Sequence, residues 1–96
     1  MGQLNFLKPD RIKFPVLDLA YRAAEAGGTA PCVLNASNEV AVAAFLEKKI
    51  KFLEIPRLIE AALEKHWPRP RFTLEEILDL DRTIRRETEE IITVKV

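Results

Sequence analysis

The spacing of apolar residues divides the chain into helical segments separated by short breaks. Val16, Leu17, Leu19, Ala20, Ala23 and Ala24 form a broad apolar face, with Asp18, Arg22 and Glu25 pointing outward. This segment starts near Pro15, whose fixed φ suits a first helical turn, and stops at Gly27-Gly28, where a residue without Cβ takes the left-handed cap. Ile55, Leu58, Ile59, Ala62 and Leu63 recur at i, i+3, i+4, i+7 and i+8, which predicts an amphipathic helix from about Glu54 to His66. Trp67-Pro68-Arg69-Pro70 ends it. Thr73 and Glu76 have capping-box spacing, so a further helix starts there with Leu74, Ile77, Leu78 and Leu80 inward. To about Ile92 one bent helix or two consecutive ones fit equally, with Asp79 or Asp81 available as a second cap. Thr93 to Val96 read as a loose end or a short extended contact.

Between these lies "LNASNEVAVAAFL", Leu34 to Leu46. After a "TAPCVL" connector it predicts a helix over Asn35 to Lys48. Every position from Val40 to Leu46 is apolar, so that helix is expected to be enclosed on all faces, with Ala41, Ala43 and Ala44 letting neighbouring backbones approach. No window alternates apolar and polar residues in strand fashion. The fold expected is all-α: a four- to five-helix bundle over 15–92, with an extended N-terminal arm over 3–14 ("QLNFLKPDRIKF"), the whole of 1–96 being one domain.

Charge narrows the functions available. Fifteen basic and fifteen acidic residues cancel, leaving no field to draw nucleic acid or an anionic membrane surface. Cys32 is the only cysteine, which points to a reducing compartment, and an apolar run of seven is far below the roughly 20 residues needed to span a bilayer. A soluble, cytosolic domain is expected.

Asn35, Ser37, Asn38 and Glu39 are the candidate site residues. Placed at a helix start, their side-chain oxygens would satisfy free amides, with Glu39 complementing the dipole; the same amides could make a weak anion contact. His66, the sole histidine, is expected to settle the last carbonyls of its helix, and Cys32 to be a buried inert thiol. The acidic series around Glu75, Glu76, Asp79 and Asp81 pairs with arginines at helical spacing, as in Asp81 with Arg85 and Arg85 with Glu89, and reads as solvated helix faces. Lys48, Lys49 and Lys51 make a small basic corner, and "WPRPRF" is a structured linker. The residues alone present no catalytic, cofactor-binding or metal-ligating set.

Several strings together resemble one family. "FP-x-L-x-LA", the "GG-x-x-P" turn, "LNA-x-NEVAVAAFL", the "I-x-F-x-x-I" corner and "D-x-x-x-R" at Asp81 to Arg85 occur in order over about Leu4 to Ile92. They are similar to the C-terminal domain of the 1-deoxy-D-xylulose 5-phosphate reductoisomerases. That resemblance implies a parent enzyme of the non-mevalonate isoprenoid route, cytoplasmic in bacteria or plastid-borne. By that resemblance the parent would be a homodimer that converts 1-deoxy-D-xylulose 5-phosphate to 2-C-methyl-D-erythritol 4-phosphate with NADPH and Mg or Mn. Its partners for this domain would be a nucleotide-binding and a catalytic domain, the bundle serving as a brace without catalytic residues. Ser37, where many relatives carry alanine, and Ile84, where a small residue is usual, depart from the pattern and imply local repacking. A free-standing helical interaction module without enzyme activity is the alternative.

Overall fold

The computed structural model describes residues 15–66 and 68–95, without the side chains of Pro15 and Lys95. The arm expected over 3–14 lies outside the described residues, as does Trp67. Four helices follow in order: α1 (Pro15–Ala26), α2 (Ala30–Leu46), α3 (Glu54–Lys65) and α4 (Leu74–Lys95). Among the described residues there is no strand, and no helix is long and apolar enough to cross a membrane.

α1 ends as the glycine pair predicts. Gly27 and Gly28 take φ of +67° and +54°, and the Gly27 amide caps the Ala23 carbonyl at 3.0 Å. Two residues later the chain is helical again, which corrects the expected start of α2 by five positions. "TAPCVL" is the first turn and a half of α2, because Pro31 falls in the first helical turn, where a missing amide costs nothing. The Thr29 hydroxyl does not cap α2. It accepts instead from the Arg69 amide at 2.9 Å, while the Thr29 amide donates to the Arg69 carbonyl at 3.1 Å. These two bonds tie the α1–α2 turn to the α3–α4 linker, and the space at Gly28 is so tight that a Cβ there would lie 2.2 Å from the Arg69 oxygen.

α2 is the hub, packing against α1, α3 and α4. One core cluster joins Leu19 of α1, Ala41 and Ala44 of α2, Ile55, Leu58 and Ile59 of α3, and Ile92 of α4. A second unites Val33 and Ala36 with Ile84, flanked by Leu80, Ala62 and Leu63. The alanines do what was expected of them, but the enclosure is incomplete. Pro31, Asn35, Glu39, Ala43 and Leu46 follow one exposed stripe, since three neighbouring helices leave one side of a cylinder uncovered. α2 closes in a Schellman turn, with the Lys48 and Lys49 amides bonded to the Phe45 and Ala44 carbonyls at 2.9 Å each, and Lys48 carries the left-handed φ of +63° usually left to glycine.

α3 matches its stripe, with Ile55, Leu58 and Ile59 buried. α4 opens with the predicted capping box: the Glu76 amide donates to Thr73 Oγ1 at 3.1 Å and the Thr73 amide to Glu76 Oε1 at 2.8 Å. It then runs as one helix through Lys95, so neither a second cap nor a loose end at Thr93 is formed. Its inward line is Leu80, Ile84, Thr88 and Ile92, spaced by four. Leu74 and Leu78 belong to another stripe and stay exposed, contrary to the inward reading.

Candidate functional site

The four candidate residues Asn35, Ser37, Asn38 and Glu39 are in the interior of α2, beyond its first turn. Their capping role is therefore corrected: the first turn of the helix is at Ala30 to Val33, where Pro31 has no amide and the Ala30 and Val33 amides donate to the Gly27 and Thr29 carbonyls at 3.0 and 3.1 Å, and the four residues lie beyond it. Asn35 and Glu39 are exposed, and Asn38 is half-buried. Ser37 is fully buried, its hydroxyl donating to the carbonyl oxygens of Val33 at 2.8 Å and Leu34 at 3.2 Å. A small hydroxyl satisfied by its own helix explains how this residue stands where an alanine would serve.

Helix geometry brings Glu39 to a different partner. Arg85 on α4 donates through one terminal nitrogen to Glu39 Oε1 at 2.7 Å and through Nε to Asp81 Oδ2 at 2.9 Å. The Asp81–Arg85 pair was legible from spacing. Arg85 turns to α2 rather than to Glu89, because an exposed carboxylate across the interface sits within reach. Hydrogen bonds to Asp81 first and Glu39 second hold the guanidinium above its usual range. With both carboxylates engaged, Arg85 has little capacity for a further anion. An open groove of about 590 Å³ runs beside it, lined by Glu39, Glu47, Lys49, Arg85 and Glu89.

A second ionic contact joins α3 to α4. His66 Nε2 and Glu87 Oε1 are 2.7 Å apart, and Lys65 Nζ lies 3.3 Å from Glu87 Oε2. His66 thus reaches a carboxylate 21 residues away, while its backbone amide, not its ring, settles the Ala62 carbonyl. The His66 hydrogen bond chiefly, then Lys65, lowers the Glu87 carboxyl below the ordinary range. Sequence spacing holds no trace of such a pair.

Cys32 is half-buried, with Sγ 3.9 Å from the Ile77 carbonyl. Burial first, and Asp81 second, push its thiol up, which disfavours the nucleophilic thiolate. Among the described residues no group of three or more His, Cys, Asp or Glu side chains could hold a metal ion. The ionic groups therefore link helices to one another: Glu39 and Arg85 join α2 to α4, and Glu87 joins α4 to the end of α3. Chemically the arrangement can clamp one helix to another.

Fold and site together define a small helical domain whose charged residues hold its own helices in register. The DXP reductoisomerase C-terminal domain family matches residues 1–87, and the chain belongs to that family. The reductoisomerase of Synechococcus sp. (strain JA-2-3B'a(2-13)) is 50% identical over 91 residues, covering 95% of this chain but 23% of the relative. That of Laribacter hongkongensis (strain HLHK9) is 51% identical over 86 residues, covering 90% and 22%. Among solved structures, the 1-deoxy-D-xylulose 5-phosphate reductoisomerase from Zymomonas mobilis in complex with NADPH superposes with a TM-score of 0.79 at 40% identity, covering 88% of this chain and 22% of that one. The chain thus spans less than a quarter of the length of these relatives.

Proposed function

We propose that this chain is the C-terminal brace of an NADPH-dependent 1-deoxy-D-xylulose 5-phosphate reductoisomerase and performs none of its chemistry. The observation that carries the reading is the near-complete match of this chain at about half identity to less than a quarter of each relative. NADPH and Mg or Mn belong to the remainder of the parent, whose nucleotide-binding and catalytic domains are the partners of this bundle. The residues described here do not fit a metal site, so no catalytic step is assigned to them. What they supply is a packed body: a hub helix against three others, with Arg85 linking α4 to α2 and Glu87 linking α4 to the end of α3. Rigid support positions reacting groups without touching them, and misplacement by about 1 Å can cost roughly 100-fold in rate.

The reading is tested by truncating the Synechococcus relative before its C-terminal domain and adding this chain in trans. NADPH consumption with 1-deoxy-D-xylulose 5-phosphate is expected from the mixture, and from neither piece alone. Turnover by this chain alone would disprove the division of labour.

A further inference from the structure

We propose that the short segment directly ahead of α1, Arg11 to Phe14, crosses the uncovered side of α2 and seats Ile12 and Phe14 in the groove between α2 and α4. α2 is apolar at every position from Val40 to Leu46, a pattern that calls for cover on all faces, yet three helices pack on it. Among the described residues α1 touches α3 and α3 touches α4, whereas α1 and α4 do not meet, so the gap around α2 lies between them. The exposed stripe through Glu39, Ala43 and Leu46 marks that gap, with Leu46 72% exposed. A groove of about 590 Å³ opens along it, floored by Val40, Ala43, Ala44 and Ile92. α1 begins beside this groove: Val16 packs against the core cluster that holds Ala44 and Ile92. Four extended residues span at most about 14 Å, and a helix with its side chains is about 10–12 Å across. Arg11 to Phe14 can therefore cross α2 to the groove and cannot reach the far side of the bundle.

The residue types of the segment fit the passage. Arg11, Ile12, Lys13 and Phe14 alternate charged and apolar, and Pro15 biases Phe14 toward extended backbone. In an extended segment Ile12 and Phe14 share one face, which leaves Arg11 and Lys13 to the rim. That rim is acidic on balance, with Glu39, Glu47 and Glu89 against Lys49 and Arg85. Both of its cations are engaged, Lys49 by Glu47 at 2.9 Å and Arg85 by Glu39 and Asp81, so Glu89 is the carboxylate placed to meet an incoming positive charge. A second groove, of about 310 Å³ between α1 and α3, also adjoins the start of α1. Its carboxylates Asp18 and Glu60 both face Arg22, at 3.9 and 4.0 Å, and Arg57 adds another positive charge, which disfavours a basic segment there. α1 and α3 already pack together on that side, whereas the groove beside α2 borders the one gap that the hub helix leaves open.

Nuclear Overhauser spectra of the methyl-labelled 96-residue chain test the placement. Cross-peaks from the Phe14 ring and the Ile12 methyls to Val40, Ala43 and Ile92 are expected. Phe14→Leu should abolish the ring-current shifts of the Val40 and Ile92 methyls and leave those of Ile59 unmoved, and Glu89→Lys should weaken the cross-peaks. Contacts from Phe14 to Leu53 and Pro56 instead, or to no methyl of the bundle, would overturn the proposal. Cross-peaks that arise only between molecules in a mixed-label sample would overturn it as well, by giving the groove to a second copy of the chain. The bracing role stands or falls separately, since the spectra read only where the segment lies.

Discussion

Replacing Gly28 with alanine should unfold the junction of the bundle far more readily than the same change one residue earlier. Both glycines adopt left-handed backbone, with φ of +67° at Gly27 and +54° at Gly28. An alanine at Gly27 meets nothing within 4 Å among the described residues, so its cost is the left-handed strain, about 1 kcal/mol. At Gly28 the added Cβ would lie 2.2 Å from the Arg69 oxygen and 2.8 Å from its carbonyl carbon, both backbone atoms. The linker must retreat, and the paired Thr29–Arg69 hydrogen bonds of 2.9 and 3.1 Å are lost with it. At roughly 0.5–1.5 kcal/mol for each bond, added to the same strain, the total is about 2–4 kcal/mol. For a domain of this size each kcal/mol lowers Tm by about 4–8 °C. Thermal and urea unfolding followed by circular dichroism, on Gly27→Ala, Gly28→Ala and the parent chain, measures the difference. Equal losses for the two variants would refute the argument that backbone contact at Arg69, rather than φ alone, requires the second glycine.

Other outcomes follow from the same geometry. Asn35→Ala should raise stability by a few tenths of a kcal/mol, since an exposed mid-helix asparagine is a poorer helix former than alanine; a loss of ~1 kcal/mol in urea unfolding would restore the capping role. Lys48→Gly should stabilise by about 0.5–1 kcal/mol in the same assay, because the Schellman turn needs a left-handed residue at that position. Ile84→Ala, deleting most of a side chain that is 1% exposed, should cost about 2–5 kcal/mol. Glu87 favours its ionised form in the fold, so its contribution is present above the unfolded carboxyl range, about pH 4.3, and is lost as pH falls through the lower folded value. Glu87→Gln should accordingly flatten the decline of stability between about pH 5 and 3, read from urea midpoints across that range.

Local chemistry made much of the fold legible. The glycine pair, the Thr73–Glu76 box and the α3 stripe each specify structure within a few residues, and each is present as read. The start of α2 was misplaced because Pro31 looks like a connector residue when its first-turn position cannot be known, and because Asn35, Ser37, Asn38 and Glu39 have capping chemistry wherever they stand. Once the helix begins at Ala30, the same four residues fall on different faces: Ser37 into the core, Asn35 and Glu39 onto the exposed stripe. The helix-linking ionic contacts were out of reach for another reason. Glu39 and Arg85 are separated by 46 residues and His66 and Glu87 by 21, and no local periodicity reports which helix faces which. Family resemblance supplied what periodicity lacked, since "LNA-x-NEVAVAAFL" names the domain regardless of where its helix begins.

This bundle is proposed to support an enzyme whose chemistry lies elsewhere in the polypeptide. Steady-state NADPH oxidation, with 1-deoxy-D-xylulose 5-phosphate and magnesium, by a chimaera in which this chain replaces the C-terminal domain of the Synechococcus sp. (strain JA-2-3B'a(2-13)) relative tests this. A kcat within about tenfold of the unmodified relative is expected, because bracing is a property of shape that half identity preserves, and at least ~100-fold loss when the domain is deleted. A deleted enzyme that keeps full activity would contradict it, as would a folded chimaera with none.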